Sequence, residues 1–212
     1  MQERPDVTTM PPLSGSRGSP GAPGREGGVA GFLTRLDAAF AHGVNPERVA
    51  EVLAAWGPAV DSLEPWIAFR PDRYARRRLA RSPSHEVLLM CWDRDQATPI
   101  HDHDGQDGWI LVVAGALAVQ EYERLGGPPD LRAVREHTAP EGTLPLARGA
   151  RLVVPVGGAM AEAQAPEAIH RVGSTGGRAL SVHVYARPFD SFLVFDETRA
   201  TATRVKVTPD EL

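Results

Sequence analysis

The stretch TPIHDHDGQDGWILVVAGAL, Thr98 to Leu117, carries two histidines one residue apart and then an almost unbroken apolar run ending near a glycine. On a β-strand, residues i and i+2 point to the same face. His101 and His103 would therefore project side by side, as two ligands of one metal must, and Asp102 would point away. A surface strand with histidine as filler is the competing reading of any such pair. Here the segment feeds WILVVAGAL, whose composition places this part of the sheet in a buried setting. Imidazoles without partners would be costly there.

Outward from this stretch, short β-prone runs recur at 86–93, 98–103, 108–114, 116–123, 150–156, 168–172, 179–186 and 192–195, with a weaker one at 202–206. Many are separated by turn signals such as Ala114-Gly115, Gly126-Gly127-Pro128-Pro129, Gly157-Gly158 and Gly176-Gly177. Many short strands with such breaks predict a mainly β protein, an antiparallel double-sheet barrel. Two helices precede it. Phe32, Leu33, Leu36, Ala39 and Phe40 recur at helical spacing. Asn45 can cap and Pro46 can start a second helix that carries Val49, Val52, Leu53 and Trp56 on one face. From Pro11 to Ala30, Gly, Pro and Ser make up 13 of 20 residues, too little apolar surface to order itself. The expected organisation is a disordered tail over 1–29 and one domain over 30–212. Within that domain, a small helical N-terminal layer spans 30–84 and the barrel spans 85–212. No internal repeat is visible.

The chain has 212 residues, 42% hydrophobic and 24% charged, enough for one substantial core. A net charge of -4 provides no basic field, so nucleic acid is not an expected partner. No apolar run approaches the ~20 residues of a membrane span, and the N-terminus lacks the layout of a secretion signal. Cys91 is the single cysteine and sits in the apolar stretch VLLMCW. It reads as a buried structural thiol, and the reducing cytoplasm is the expected compartment. The protein is expected to be a monomer.

Among the other histidines, His170 follows an apolar pair in PEAIHRVGS. His42, His85 and His137 stand in polar or helix-end contexts and are expected at the surface. His183 is different. In SVHVYARPF, Ser181, His183 and Tyr185 alternate with Val182 and Val184. Such a strand has its polar face in water, or aims that face into a barrel cavity that needs hydrogen-bonding groups; alternation alone leaves both open.

Taken in order and spacing, YARRRL (74–79), MCW (90–92), PIHDHDG (99–105), IHRV (169–172) and SVHVYARPF (181–189) resemble the cysteine dioxygenase family of cupin-fold thiol dioxygenases. The resemblance runs from about Tyr74 to Phe189. It implies a cupin fold, a double-stranded β-helix of jelly-roll type. It implies Fe(2+) held by His101, His103 and His170, and a substrate carboxylate bound by Arg76 in the Tyr74-Ala75-Arg76 segment. It also implies a relay of Ser181, His183 and Tyr185 at the catalytic centre. The partners it implies are a small thiol and O2, and the product is a sulfinate.

The sequence departs from the pattern in places. The general cupin motif places a glutamate ligand between the histidine pair and a glycine. Gly115 sets that register and leaves Gly108 at the glutamate position, with Asp107 one residue off. The ligand set then consists of three imidazoles without a carboxylate. Animal members carry a cysteine at the place of Gly108, crosslinked to the tyrosine corresponding to Tyr185; here that crosslink is impossible, as in bacterial members. Arg187 replaces the first of two prolines. L-cysteine is the leading substrate. Alternatives are 3-mercaptopropionate, mercaptosuccinate (which a cavity-facing Arg187 would favour), or a metal-binding sensor without activity.

Overall fold

A computed structural model describes residues 28–56, 60–126, 144–163 and 168–207. Helix α1 spans Val29–Phe40 and α2 spans Pro46–Ala55, followed by a 3-10 helix over Val60–Trp66. Eleven strands follow: β1 Ala75–Arg81, β2 His85–Trp92, β3 Ile100–His101, β4 Gly108–Ala114, β5 Ala116–Arg124, β6 Leu146–Pro155, β7 Ala159–Ala163, β8 Ile169–Ser174, β9 Ala179–Ala186, β10 Ser191–Asp196 and β11 Thr201–Lys206. They form two antiparallel sheets, in the orders β1-β2-β9-β4-β7 and β11-β10-β3-β8-β5-β6. From β2 to β5, and again from β7 to β10, the chain passes to the other sheet at every step, which is the double-stranded β-helix of a cupin.

Alternation divides the apolar residues of the helix-covered sheet between two cores. On β2, Val87, Leu89 and Cys91 face the helices, where they join Phe32, Leu36, Phe40 and Leu53. Leu88, Met90 and Trp92 face the space between the sheets, with Ile110, Val112, Leu117 and Val172. Every residue of β2, β4 and β9 is buried, because helices cover one face of that sheet and the second sheet covers the other. On β9 the valines take the helical side. Ser181, His183 and Tyr185 are thus turned to the interior, which decides between the two readings of SVHVYARPF.

The helices form where the spacing predicts. Phe32 stacks on Trp56 with ring centroids 3.7 Å apart, and the Asn45 side chain accepts the Arg48 N–H at 2.9 Å. The expected tail lies outside the described residues up to residue 27, and α1 begins at Val29, inside its expected span. Two expectations need correction, over β1 and β3, and one strand, β7, has no counterpart among the expected runs. β1 lies within the segment assigned to the helical layer; four arginines in ARRRLAR hide its alternation, and an edge strand tolerates them. β7, AMAEA, has a helix-favouring composition and is a strand because it pairs with β4. β3 has two residues rather than six: the chain leaves the sheet after His101 and turns at Asp104 and Gly105, both at positive φ.

Candidate metal and substrate site

His101 is paired with His170 across β3 and β8. His103 reaches them from beyond the strand end, so strand alternation does not place it. Ring centroids lie 4.8 Å apart for His101 and His170, 5.2 Å for His101 and His103, and 4.7 Å for His103 and His170. One nitrogen from each lies within 4.8 Å of the other two, and all three side chains are buried. His101 Nδ1 is 3.1 Å from the Pro99 carbonyl, which can only accept. Nδ1 therefore carries the proton and Nε2 presents its lone pair, the arrangement that orients a metal-ligating imidazole. Three imidazoles with no carboxylate among them fit a borderline divalent ion such as Fe(II) or Zn(II).

Asp102 points away from the cluster, as expected. Its carboxylate accepts the Leu193 N–H at 2.8 Å and so ties the segment after β3 to β10. Burial pushes the Asp102 carboxyl above its usual range, and the Leu193 hydrogen bond opposes this. Asp107 is half-buried and lies outside the three-histidine cluster; its carbonyl accepts the Ala186 N–H at 2.8 Å. Gly108 is paired with Tyr185, so the residue beside that tyrosine has no side chain.

A cavity beside the histidines is lined by Tyr74 and Arg76 from β1 and its approach, by His183 and Tyr185 from β9, and by His101. Met90, Val172, Phe189 and Phe192 supply its apolar wall. The fates of the three consecutive arginines differ. Arg77 is buried on the opposite face from Arg76, and Arg78 donates from Nε to the buried Glu86 carboxylate at 2.8 Å. Arg76 alone of the three lines the cavity. Ser181 Oγ is 2.9 Å from His183 Nε2, and His183 Nδ1 is 3.2 Å from the Tyr185 hydroxyl.

Arg187 is exposed, at positive φ, just past the end of β9. It does not line this cavity, which removes the observation that favoured a dicarboxylate thiol. His42 is exposed and His137 lies outside the described residues. His85, expected at the surface, is buried at 1% exposure. α1 covers the start of β2 there: the ring stacks on Phe40 at 4.6 Å, and Ser84 and Ser82 lie 3.0 and 3.2 Å from its Nδ1. Burial holds the His85 pKa below its usual value, against the pull of Asp37. Sequence reading missed three further contributors. Trp92 donates to Ser181 at 2.9 Å and stacks on Tyr74 at 4.8 Å. Phe189 and Phe192 close the cavity. Trp92 and Phe189 stand inside the stretches MCW and SVHVYARPF without a role of their own there, and only their partners in the structure single out all three.

Comparison with known proteins points to one family. The family model for cysteine dioxygenase type I matches residues 32–198. The cysteine dioxygenase type 1 of Rattus norvegicus is 26% identical over 170 residues, covering 78% of this chain and 76% of the rat protein. The Homo sapiens protein of that name is 23% identical over 168 residues, with the same coverage. Among solved structures, TT1209 from Thermus thermophilus aligns with a TM-score of 0.41 at 17% identity, over 59% of this chain and 93% of that one. A cupin 2 conserved barrel domain protein from Leptotrichia buccalis aligns with a TM-score of 0.39 at 12% identity, over 59% and 47%.

Proposed function

This chain belongs to the cysteine dioxygenase type I family, and from that premise we propose that it is a non-haem iron(II) enzyme that oxidises L-cysteine with O2 to cysteine sulfinate. The observation that carries the proposal is convergence. A cluster of three buried imidazoles presents His101 to a small cavity that is also lined by Arg76 and by Tyr185, a tyrosine held by a buried histidine. The overall reaction adds both atoms of O2 to the thiolate sulfur, so it balances without an external reductant.

His101, His103 and His170 would hold the ion. Bound iron(II) would supply the redox chemistry, activating O2 and favouring the thiolate form of the substrate. Arg76 receives the carboxylate in its planar fork and so fixes where the sulfur lies. Tyr74 stands beside it on the same face. Tyr185, held through its hydroxyl by His183, offers a hydrogen bond on the cavity side, where negative charge develops on oxygen. Met90, Val172, Phe189 and Phe192 exclude water and leave room for a short carbon chain. No helix among the described residues is long and apolar enough to cross a membrane. A reducing cytoplasm suits an enzyme whose substrate must remain a thiol.

The test is oxygen uptake by protein loaded with Fe(II) under anaerobic conditions. It is run against L-cysteine, 3-mercaptopropionate, mercaptosuccinate and cysteamine. Cysteine should give the highest kcat/KM. Preference for mercaptosuccinate would overturn the substrate assignment, and no thiol-dependent uptake would overturn the activity.

A further inference from the structure

The indole N–H of Trp92 can donate a hydrogen bond and cannot accept one. Trp92 is fully buried and donates to Ser181 Oγ at 2.9 Å, and Ser181 is fully buried too. Among the hydrogen bonds of Ser181 to described residues, the other side-chain partner is His183 Nε2, also at 2.9 Å. With one lone pair of Oγ occupied by the indole, the hydroxyl hydrogen has the imidazole Nε2 as its acceptor. A neutral imidazole that accepts at Nε2 carries its proton on Nδ1. Nδ1 in turn faces the Tyr185 hydroxyl at 3.2 Å and donates to it. The hydrogen of Tyr185 cannot then point back to His183, and Tyr185 lines the cavity that would take the substrate.

We propose that Trp92 is a positioning residue that sets the direction of the Trp92–Ser181–His183–Tyr185 chain, so that Tyr185 acts as a hydrogen-bond donor toward the substrate. The proposal rests on the activity inferred above and deepens it. In the reverse direction, Tyr185 would donate to His183 Nδ1 and His183 Nε2–H to Ser181. Ser181 Oγ would then accept twice, and its buried hydrogen would have no acceptor among these partners. That loss is large enough to bias the two directions by roughly tenfold or more. Trp92 also stacks on Tyr74, with rings inclined at 28°, so the residue that orients one cavity tyrosine packs on the other.

The experiment has two readouts. The first is 15N NMR of the full chain, histidine-labelled, without paramagnetic metal and at a pH of about 8, where an ordinary imidazole is neutral. The His183 signals, assigned by their loss in His183→Asn, should report protonated Nδ1 and accepting Nε2. In Trp92→Phe, and independently in Ser181→Ala, which leaves the indole in place, the Nε2-protonated form should become substantial. An Nε2-protonated ring in the unsubstituted protein, or an unchanged tautomer in Ser181→Ala, overturns the proposal.

The second readout is kinetic. Trp92→Phe should lower kcat for cysteine about two- to tenfold, the range for one neutral hydrogen bond, with KM little changed. In a Ser181→Ala background the same change should add no further loss. Equal losses in both backgrounds would mean that Trp92 only packs. Absence of thiol oxidation by the unsubstituted protein would overturn the activity while leaving the NMR result to stand or fall by itself.

Discussion

Arg76 gives the most discriminating prediction about substrate. On β1 it lies opposite Met90, another residue of the cavity wall, whereas Arg77 faces the helices and Arg78 is engaged by Glu86. A carboxylate entering the cavity therefore meets one arginine of that run. A charge-assisted pair of this kind contributes about 1.5–3 kcal/mol, or roughly 10- to 150-fold in kcat/KM. Cysteamine keeps the thiol and the amine of cysteine and lacks the carboxylate, so it should be poorer by that factor. Arg76→Lys keeps the charge and loses the fork; it should impair cysteine about tenfold or more and cysteamine only slightly. The assay is initial-rate oxygen uptake over a two-by-two set of enzymes and substrates. Equal turnover of cysteine and cysteamine, or equal loss on both in Arg76→Lys, would refute carboxylate recognition by Arg76.

Three other outcomes test the scaffold. Gly115 has φ +70°, and a Cβ there would lie 2.3 Å from the Arg178 carbonyl, whereas Gly157, at φ +78°, has open space around it. Gly157→Ala should cost about 1–2 kcal/mol and Gly115→Ala clearly more by urea denaturation; equal costs would contradict the packing of the β4–β5 turn. The folded-state pKa of His85 is lowered, so unfolded chains bind its proton more readily and stability falls as pH drops below about 6.5. His85→Phe should flatten the slope of Tm between about pH 7 and 5, and an unchanged slope would locate the acid sensitivity elsewhere. Arg78→Ala leaves the buried Glu86 with only the 3.4 Å contact to Arg81, whereas Glu86→Gln removes the buried charge, keeps an amide oxygen that can accept from Arg78 and leaves Arg81 paired with Asp190. The arginine substitution should therefore cost more, about 1–3 kcal/mol, and the reverse order would show that the buried carboxylate is not the costly group.

Much of the fold was legible because it rests on short-range chemistry. Helix α2 follows from Asn45-Pro46 and its apolar face, and most strands follow from β-prone runs ended by glycine turns. The three-histidine cluster was legible as a pattern, although His103 reaches His101 by a turn after β3 and not by strand alternation. What was not legible depends on partners distant in sequence. Ala159–Ala163 is a strand because β4 lies beside it, and His85 is buried because α1 covers it. Arg76 differs from Arg77 and Arg78 only through which face each takes and what meets it there. The role of Trp92 depends on Ser181, 89 residues away.

The most direct measurement of the central claim is product analysis under 18O2 with iron-loaded protein and L-cysteine. The account predicts cysteine sulfinate carrying two heavy oxygen atoms, one sulfinate per O2 consumed, and none from His170→Ala. Sulfinate with oxygen from water, cystine as the main product, or undiminished sulfinate from His170→Ala would contradict it.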